Sequence, residues 1–179
     1  LAALGAGVLH NRSVEMAKKY GVRLIVRSSL NESEGTEVKE VVKKMERMLI
    51  SGVALDRNAD RISVIGIQDV PGSAFKLFNT LAKRSHENLR EAIELLEEYK
   101  DVLGFERVEY NCDVAKLSIV GAGMMSNPGV AAKMFECLYS QNVNINMIAT
   151  SEIRITVLVD SQDAVSAMNA VHEAFGLSE

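Results

Sequence analysis

Leu117-Ser118-Ile119-Val120-Gly121-Ala122, followed by Pro128-Gly129-Val130-Ala131-Ala132-Lys133-Met134-Phe135 and Leu138, repeats a passage found earlier in the same chain. The earlier passage is Ile62-Ser63-Val64-Ile65-Gly66-Ile67, then Pro71-Gly72-Ser73-Ala74-Phe75-Lys76-Leu77-Phe78 and Leu81. Ser63 and Gly66 return 55 positions later as Ser118 and Gly121, while Pro71, Gly72, Lys76, Phe78 and Leu81 return 57 positions later. The loop before Pro-Gly absorbs the difference. Each copy has a physical logic. The β-branched run reads as a strand, a glycine-bearing loop follows, and Pro-Gly opens a helix where proline's missing N–H costs nothing. Phe78 with Leu81, and Phe135 with Leu138, stand three residues apart and are expected to be buried together on one helix face.

The second copy continues outward from its helix. Val143 to Ile148 reads as a strand, Thr150-Ser151-Glu152 as a polar turn, and Ile153 to Val159 as a strand with Ile153, Ile155, Val157 and Val159 pointing inward. Asp160 or Ser161 is expected to cap a helix over Asp163–Phe175, with Ala164, Ala167, Met168 and Val171 on one face and Gly176 as its stop. That order, β-α-β-β-α, is a split β-α-β layout of the ferredoxin-like kind. The first copy differs. Its helix runs almost directly into a second amphipathic helix from Glu87 to about Tyr99, and Phe105–Tyr110 reads as a closing strand. A hairpin is missing near Ser85. Either it is deleted, or the protein carries residues there that this sequence omits. The second is preferred, because losing two strands would strip one face of both helices. Upstream, Glu37–Leu49 reads as a helix with Val38, Val41, Val42, Met45, Met48 and Leu49 on one stripe, a core or interface face.

Composition narrows the function. The 179 residues are 47% hydrophobic and 25% charged, ordinary for a globular protein, and the net charge of -4 argues against nucleic-acid binding. No apolar run approaches the ~18 residues of a membrane span. The apolar start, Leu1–Val8, has no basic n-region or clear cleavage site, so it is not read as a signal peptide. Cys112 and Cys137 have no metal-ligand spacing, which fits a reduced, cytoplasmic protein. Cys137 lies beside Phe135 and Leu138 and reads as core rather than nucleophile. His10, His86 and His172 share no spacing and read as surface or packing residues. Gly121-Ala122-Gly123 follows a strand, but the third glycine of a dinucleotide fingerprint is misplaced and Pro128 sits where a helix should already run.

Several of these motifs resemble one family. Leu117 through Met124, Asn127-Pro128-Gly129-Val130-Ala131, Val143-Asn144-Ile145 and Thr150-Ser151-Glu152-Ile153 resemble the second ACT domain of bacterial aspartate kinases. Gly66-Ile67-Gln68-Asp69-Val70-Pro71-Gly72 resembles their first ACT domain, and Val53-Ala54-Leu55-Asp56-Arg57-Asn58 the strand leading into it. Leu4 through Ser13, with Val26-Arg27-Ser28-Ser29, resembles the C-terminal edge of the kinase domain, with Asn11 where the family tends to have proline. The resemblance implies an α+β chain of tandem ferredoxin-like (βαββαβ) ACT domains, the first lacking its central hairpin. Its expected divisions are a kinase-domain remnant at 1–30, a linker helix at 31–49, a first ACT domain at 59–111, and a second formed by 50–58 and 112–179. In the family the first ACT domain is inserted into the second, so Ser51–Leu55 should pair with the sheet of Leu117–Val159.

The same resemblance implies feedback inhibition by lysine, or lysine with threonine, bound at ACT–ACT interfaces of a homodimer or higher oligomer. Carried over residue by residue, effector contacts fall on Asp69, Gly72 and Ala74 in the first domain, and on Asn127, Val130, Ala131, Asn144, Ile145, Ser151 and Glu152 in the second. A zwitterion's carboxylate suits the N–H groups of a helix start. Its ammonium suits Asp69, Glu152 or carbonyls of Asn144-Ile145 from a partner domain. Without the resemblance, Asp69 reads equally as a helix cap, and Ser151-Glu152 as a plain hairpin turn. The whole enzyme uses ATP and Mg to phosphorylate L-aspartate, but the segments that bind ATP and aspartate lie upstream of what is present here. No catalytic residue, metal or cofactor is expected in this stretch. Two rival readings remain: a ligand-free ACT dimerisation module, and a fragment active when the upstream kinase part is supplied in trans.

Overall fold

The computed structural model describes residues 9–38, 50–82, 89–121, 124, 127 and 129–177. They fall into two compact units, with Ala59–Val114 forming the second and the chain on either side of it the first. The expected gap near Ser85, His86 and most of the expected linker helix lie outside the described residues.

The first unit begins with helix α1, Asn11–Lys19, and strands β1, Leu24–Val26, and β2, Thr36–Val38. The side chain of His10 caps α1, its Nδ1 accepting from the Arg12 N–H at 3.3 Å. β1 and β2 pair antiparallel, Ile25 opposite Glu37, and Arg23 Nε meets Glu37 Oε1 at 2.6 Å. Glu37 and Val38 therefore belong to a strand and not to the helix expected from Glu37. β-branched Thr36 and Val38 favour the extended chain, and a partner strand lies within reach.

Two long strands follow in the chain. β3 runs Gly52–Ile65 and β4 runs Arg107–Val120, each unbroken where the sequence read as two shorter strands. Between them come α2, Ser73–Ala82, α3, Leu89–Glu98, and α4, Lys100–Leu103. After β4 come α5, Gly129–Ser140, β5, Met147–Ser151, β6, Arg154–Asp160, and α6, Ala164–Ala174. The larger sheet has the order β3-β4-β6-β5. In the first unit, α5 and α6 lie side by side, and their apolar faces close on Leu117, Ile119, Ile155, Val157 and Val159. Met134, Leu138, Ala164, Ala167 and Val171 complete this core. Each large apolar side chain here contributes about 1.5–3 kcal/mol.

The second copy's hairpin is shifted from its expected place. Val143 and Ile145 pack into the core from the segment ahead of β5, so their alternation marks burial rather than a strand. Ser151 pairs with Arg154, which leaves a turn of Glu152 and Ile153 and exposes Ile153. β6 is buried on both faces from Ile155 to Val159. Its Thr156 hydroxyl lies 2.8 Å from that of Ser118, and both residues are buried. Both helices end on left-handed residues. Asn142 (φ 56) lets the Val143 N–H reach the Leu138 carbonyl, and Gly176 (φ 65) lets Leu177 reach His172. At the other end of α6, Asp163 occupies the cap position without a side-chain cap bond. Asp160 and Ser161 serve the turn through their carbonyls instead, accepting from the N–H groups of Asp163 and Ala164.

In the second unit, Leu96, Leu103 and Phe105 form the buried centre, with Ile62, Val64, Leu77 and Leu81 packed against it. Phe78, expected inside beside Leu81, is 67% exposed, and Phe75 is 71% exposed. The face of α2 that carries them has no strand beneath it among the described residues of this unit. Gly66 (φ 78) turns the chain out of β3 where a Cβ would meet the Glu106 side chain. The Glu106 N–H donates to the Ile65 carbonyl there.

Two measurements test this packing. Ser118→Ala should destabilise the protein by about 1–3 kcal/mol in urea unfolding by stranding the Thr156 hydroxyl, and adding Thr156→Val should recover part of the loss. The second concerns Lys116 Nζ, which lies 2.8 Å from Asp56 Oδ2 in the first unit. That hydrogen bond holds the Asp56 carboxyl below its usual range. A depressed carboxylate adds stability above its unfolded pKa and loses it as pH falls through the folded value. Asp56→Asn should therefore cost about 1 kcal/mol at pH 7 and flatten the stability profile below about pH 4.

Candidate functional site

The first unit has one end where several chain segments converge. The Gly121 N–H donates to the Ile153 carbonyl at 3.0 Å, which fixes the β5–β6 turn beside the end of β4. From there the chain leads to α5, which returns along the sheet. Asn127, Val130 and Ala131 at the start of α5 thus lie at the same end as Ser151 and Glu152. Val130 is buried in the core, so only its backbone is available to a ligand, and Ala131 is half-buried. The Val130 N–H donates to the Asn127 carbonyl at 3.0 Å. Ser151 and Glu152 are exposed, and the Ser151 hydroxyl reaches toward the Arg154 carbonyl at 3.5 Å. A helix start offers N–H groups without intrahelical partners, and Glu152 supplies an anionic side chain. The pairing of a positive helix end with a carboxylate suits a small zwitterion.

Asn144 and Ile145 are elsewhere. They precede β5, whose five residues span about 14 Å, so they lie at the opposite end of that strand from Ser151 and Glu152. Asn144 is exposed, while Ile145 packs on the core. One copy of the unit therefore does not gather all seven residues at one point. β5 ends the sheet order, and all five of its residues are exposed.

Asp69, Gly72 and Ala74 belong to the second unit and are all exposed. Gly72 has φ 95 with open space around it, and its carbonyl accepts from the Lys76 N–H at 2.9 Å. This second unit also carries an open groove of about 860 Å³ lined by Asp60, Leu89, Arg90, Ile93, Glu94, Tyr110 and Cys112. Of these only Cys112 is weighed in the sequence reading, and not as part of a site. They come from three separate elements, and no spacing along the chain marks them. Arg90 Nε and Glu94 Oε1 pair across one helical turn at 2.8 Å.

Neither cysteine sits where a thiolate is favoured. Although Cys112 is exposed, desolvation of its sulfur and the Asp60 carboxylate push its pKa up. Burial, then Glu173, pushes up that of Cys137, which packs against the first unit's core. Among the described residues no group of His, Cys, Asp or Glu is placed to hold a metal ion. No described helix is long and apolar enough to cross a membrane.

The ACT-domain family profile matches residues 117–175. Aspartokinase 2 of Bacillus subtilis is 39% identical over 201 aligned positions, covering all of this chain and 49% of the relative. The chain thus spans about half the length of the curated relatives it matches. The regulatory subunit of aspartate kinase from Thermus flavus is 39% identical, with a TM-score of 0.65, over 71% of this chain and 99% of that one. E. coli aspartokinase III, solved in complex with lysine and aspartate, shares the fold at 22% identity, with a TM-score of 0.73, over 98% of this chain and 44% of that one.

Neither thiol should behave as a nucleophile. Iodoacetamide labelling at pH 7, followed by mass spectrometry, should modify both more slowly than free cysteine, with Cys137 the slower. Labelling at or above the free-cysteine rate would reveal a thiolate that these surroundings do not provide.

Proposed function

The chain belongs to the aspartokinase family and corresponds to its ACT-bearing regulatory region, and on that premise we propose that it senses a free amino acid, lysine or threonine, between copies of itself. The observation that carries this reading is the distribution of the candidate residues along β5. Ser151 and Glu152 stand at one end and Asn144 and Ile145 at the other, on an exposed edge strand. A second copy aligned antiparallel along that edge, centred near Ile148, sets Asn144 opposite the partner's Glu152. Two equivalent sites then form about the two-fold axis, as an isologous interface requires. In each, the start of α5 receives the effector's carboxylate. Glu152 and the partner's Asn144-Ile145 carbonyls receive its ammonium.

Regulation follows from linkage. An effector that binds only the paired arrangement stabilises it, and by reciprocity whatever favours that arrangement tightens effector binding. The whole protein of which this region is part is proposed to transfer a phosphoryl group from ATP, with Mg, to the side-chain carboxylate of L-aspartate. Its regulatory region would restrain that transfer when the end product accumulates. Asp69, Gly72 and Ala74 are proposed as contacts of a further site served by the second unit. A cytoplasmic location suits a biosynthetic enzyme of this kind.

A ligand that binds only the folded state at a hundredfold excess over its Kd adds about 2.7 kcal/mol, several degrees in Tm for a chain of this size. Saturating lysine or threonine should produce that rise. Glu152→Gln, an exposed change, should abolish most of it while leaving the unliganded Tm within about a degree. A dimer whose melt is unmoved by either amino acid would favour the ligand-free dimerisation module, to which the exposed Met147 and Ile148 of β5 also lend themselves.

A further inference from the structure

Asn144 and Ile145 serve the proposed effector site through their backbone carbonyls, so whatever aims those carbonyls bears on binding. Pairing of β5 with β6 begins at Met147, opposite Leu158. Asn146, one residue earlier, also meets Leu158, because its N–H donates to the Leu158 carbonyl at 2.8 Å. Two residues of one strand thus face a single residue of the other, the arrangement of a β-bulge. A bulge bends its strand and ends the regular ladder, and Asn144 and Ile145 stand beyond it. Their carbonyls lie outside the register pairing with β6.

Side-chain chemistry holds the bulge. Asn146 Nδ2 donates to Asp160 Oδ1 at 2.8 Å, and both residues are half-buried. Asp160 is itself fixed. It ends β6 directly after the fully buried Val159, and its carbonyl accepts from the Asp163 N–H ahead of α6. On the other side of Asn144-Ile145, the Val143 N–H donates to the Leu138 carbonyl of α5. The two residues are therefore suspended between two anchors, one on α5 and one on β6. Val143 and Ile145 already bury their side chains in the core. The Asn146–Asp160 bond adds no apolar burial to that, and instead sets the backbone direction between the anchors. A plain hairpin has no need of it, since the register pairs from Met147 to Ser151 hold β5 on β6.

We propose that Asn146 and Asp160 are positioning residues of the effector site: their hydrogen bond holds the bulge that turns the Asn144 and Ile145 carbonyls toward an amino acid bound against the partner copy. The proposal rests on the amino-acid-sensing reading and adds to it two residues that need not touch the effector. An ammonium is held by short, directional hydrogen bonds. A bulge free to relax therefore costs affinity although every contacting residue is still present. With antiparallel copies centred near Ile148, Asn146 falls opposite the partner's Thr150, between the two equivalent sites. One such bond in each copy thus serves one site each.

The test is calorimetric titration of the full 179-residue chain with lysine and with threonine, beside melts of the unliganded proteins. Asn146→Ala should raise the Kd of whichever amino acid binds by about tenfold, with the circular dichroism spectrum unchanged. Asp160→Asn removes the charge but keeps an oxygen to accept the bond, and should bind within about threefold of the unaltered chain. The exchanged pair, Asn146→Asp with Asp160→Asn, lets position 160 donate to position 146 and should recover the affinity that Asn146→Ala loses. A bond that serves stability alone would lower the unliganded Tm of Asn146→Ala and leave its Kd unmoved, which would overturn the proposal while the sensing reading stands. An exchanged pair that binds as weakly as Asn146→Ala would overturn it too. An unaltered chain that binds neither amino acid would sink the sensing reading itself, and this proposal with it.

Discussion

A β-strand inside a sheet must satisfy both of its backbone edges, and the first unit rests on β4 meeting that condition. Flanked by β3 and β6, the end of β4 is sealed from solvent, with Ala115, Leu117, Ser118 and Ile119 all at 0% exposure. Because both edges are taken, Leu117 and Ile119 can face the α5–α6 layer while Ser118 engages Thr156. The position of the β5–β6 turn follows, through the Gly121–Ile153 bond. So does the placing of Ser151 and Glu152 at the end of the sheet where α5 begins. The candidate site is thus a consequence of how one strand is paired.

The same rule, unmet, explains the second unit. Its strand β3 ends in Arg61-Ile62-Ser63-Val64-Ile65, similar to Lys116-Leu117-Ser118-Ile119-Val120 of β4, yet among the described residues it has a partner on one side only. Burial follows pairing rather than residue type. Phe78 and Phe135 occupy the same place in the repeat, and only the one above a full sheet is covered. Hydrophobic spacing on α2 therefore forecast an interior position that the available layers do not provide.

Much of the fold was legible because the repeat fixes strand, loop and helix together. Ile62–Ile65, Leu117–Val120 and the helices after each Pro-Gly came from period and turn chemistry. Details set by long-range register did not. Val143 and Ile145 alternate like a strand but serve as plugs ahead of one, and the two-residue turn displaced the hairpin toward its end. Thr36 and Val38 joined a small sheet because Leu24–Val26 lay opposite, which no local window reveals. Of the site, residue identities came from resemblance, whereas their division between the two ends of β5 required the three-dimensional strand. The groove at Asp60, Arg90 and Cys112 carried no sequence signal, since its lining is assembled from distant segments.

The central claim is that an amino acid binds across paired β5 edges. Amide hydrogen exchange at Met147–Ser151 tests it most directly, because these N–H groups belong to an exposed edge in a single copy. With saturating lysine or threonine, the account predicts slowed exchange at alternate residues of β5, together with the first turn of α5. Exchange at β5 that stays at its unliganded rate while the effector is demonstrably bound would contradict it.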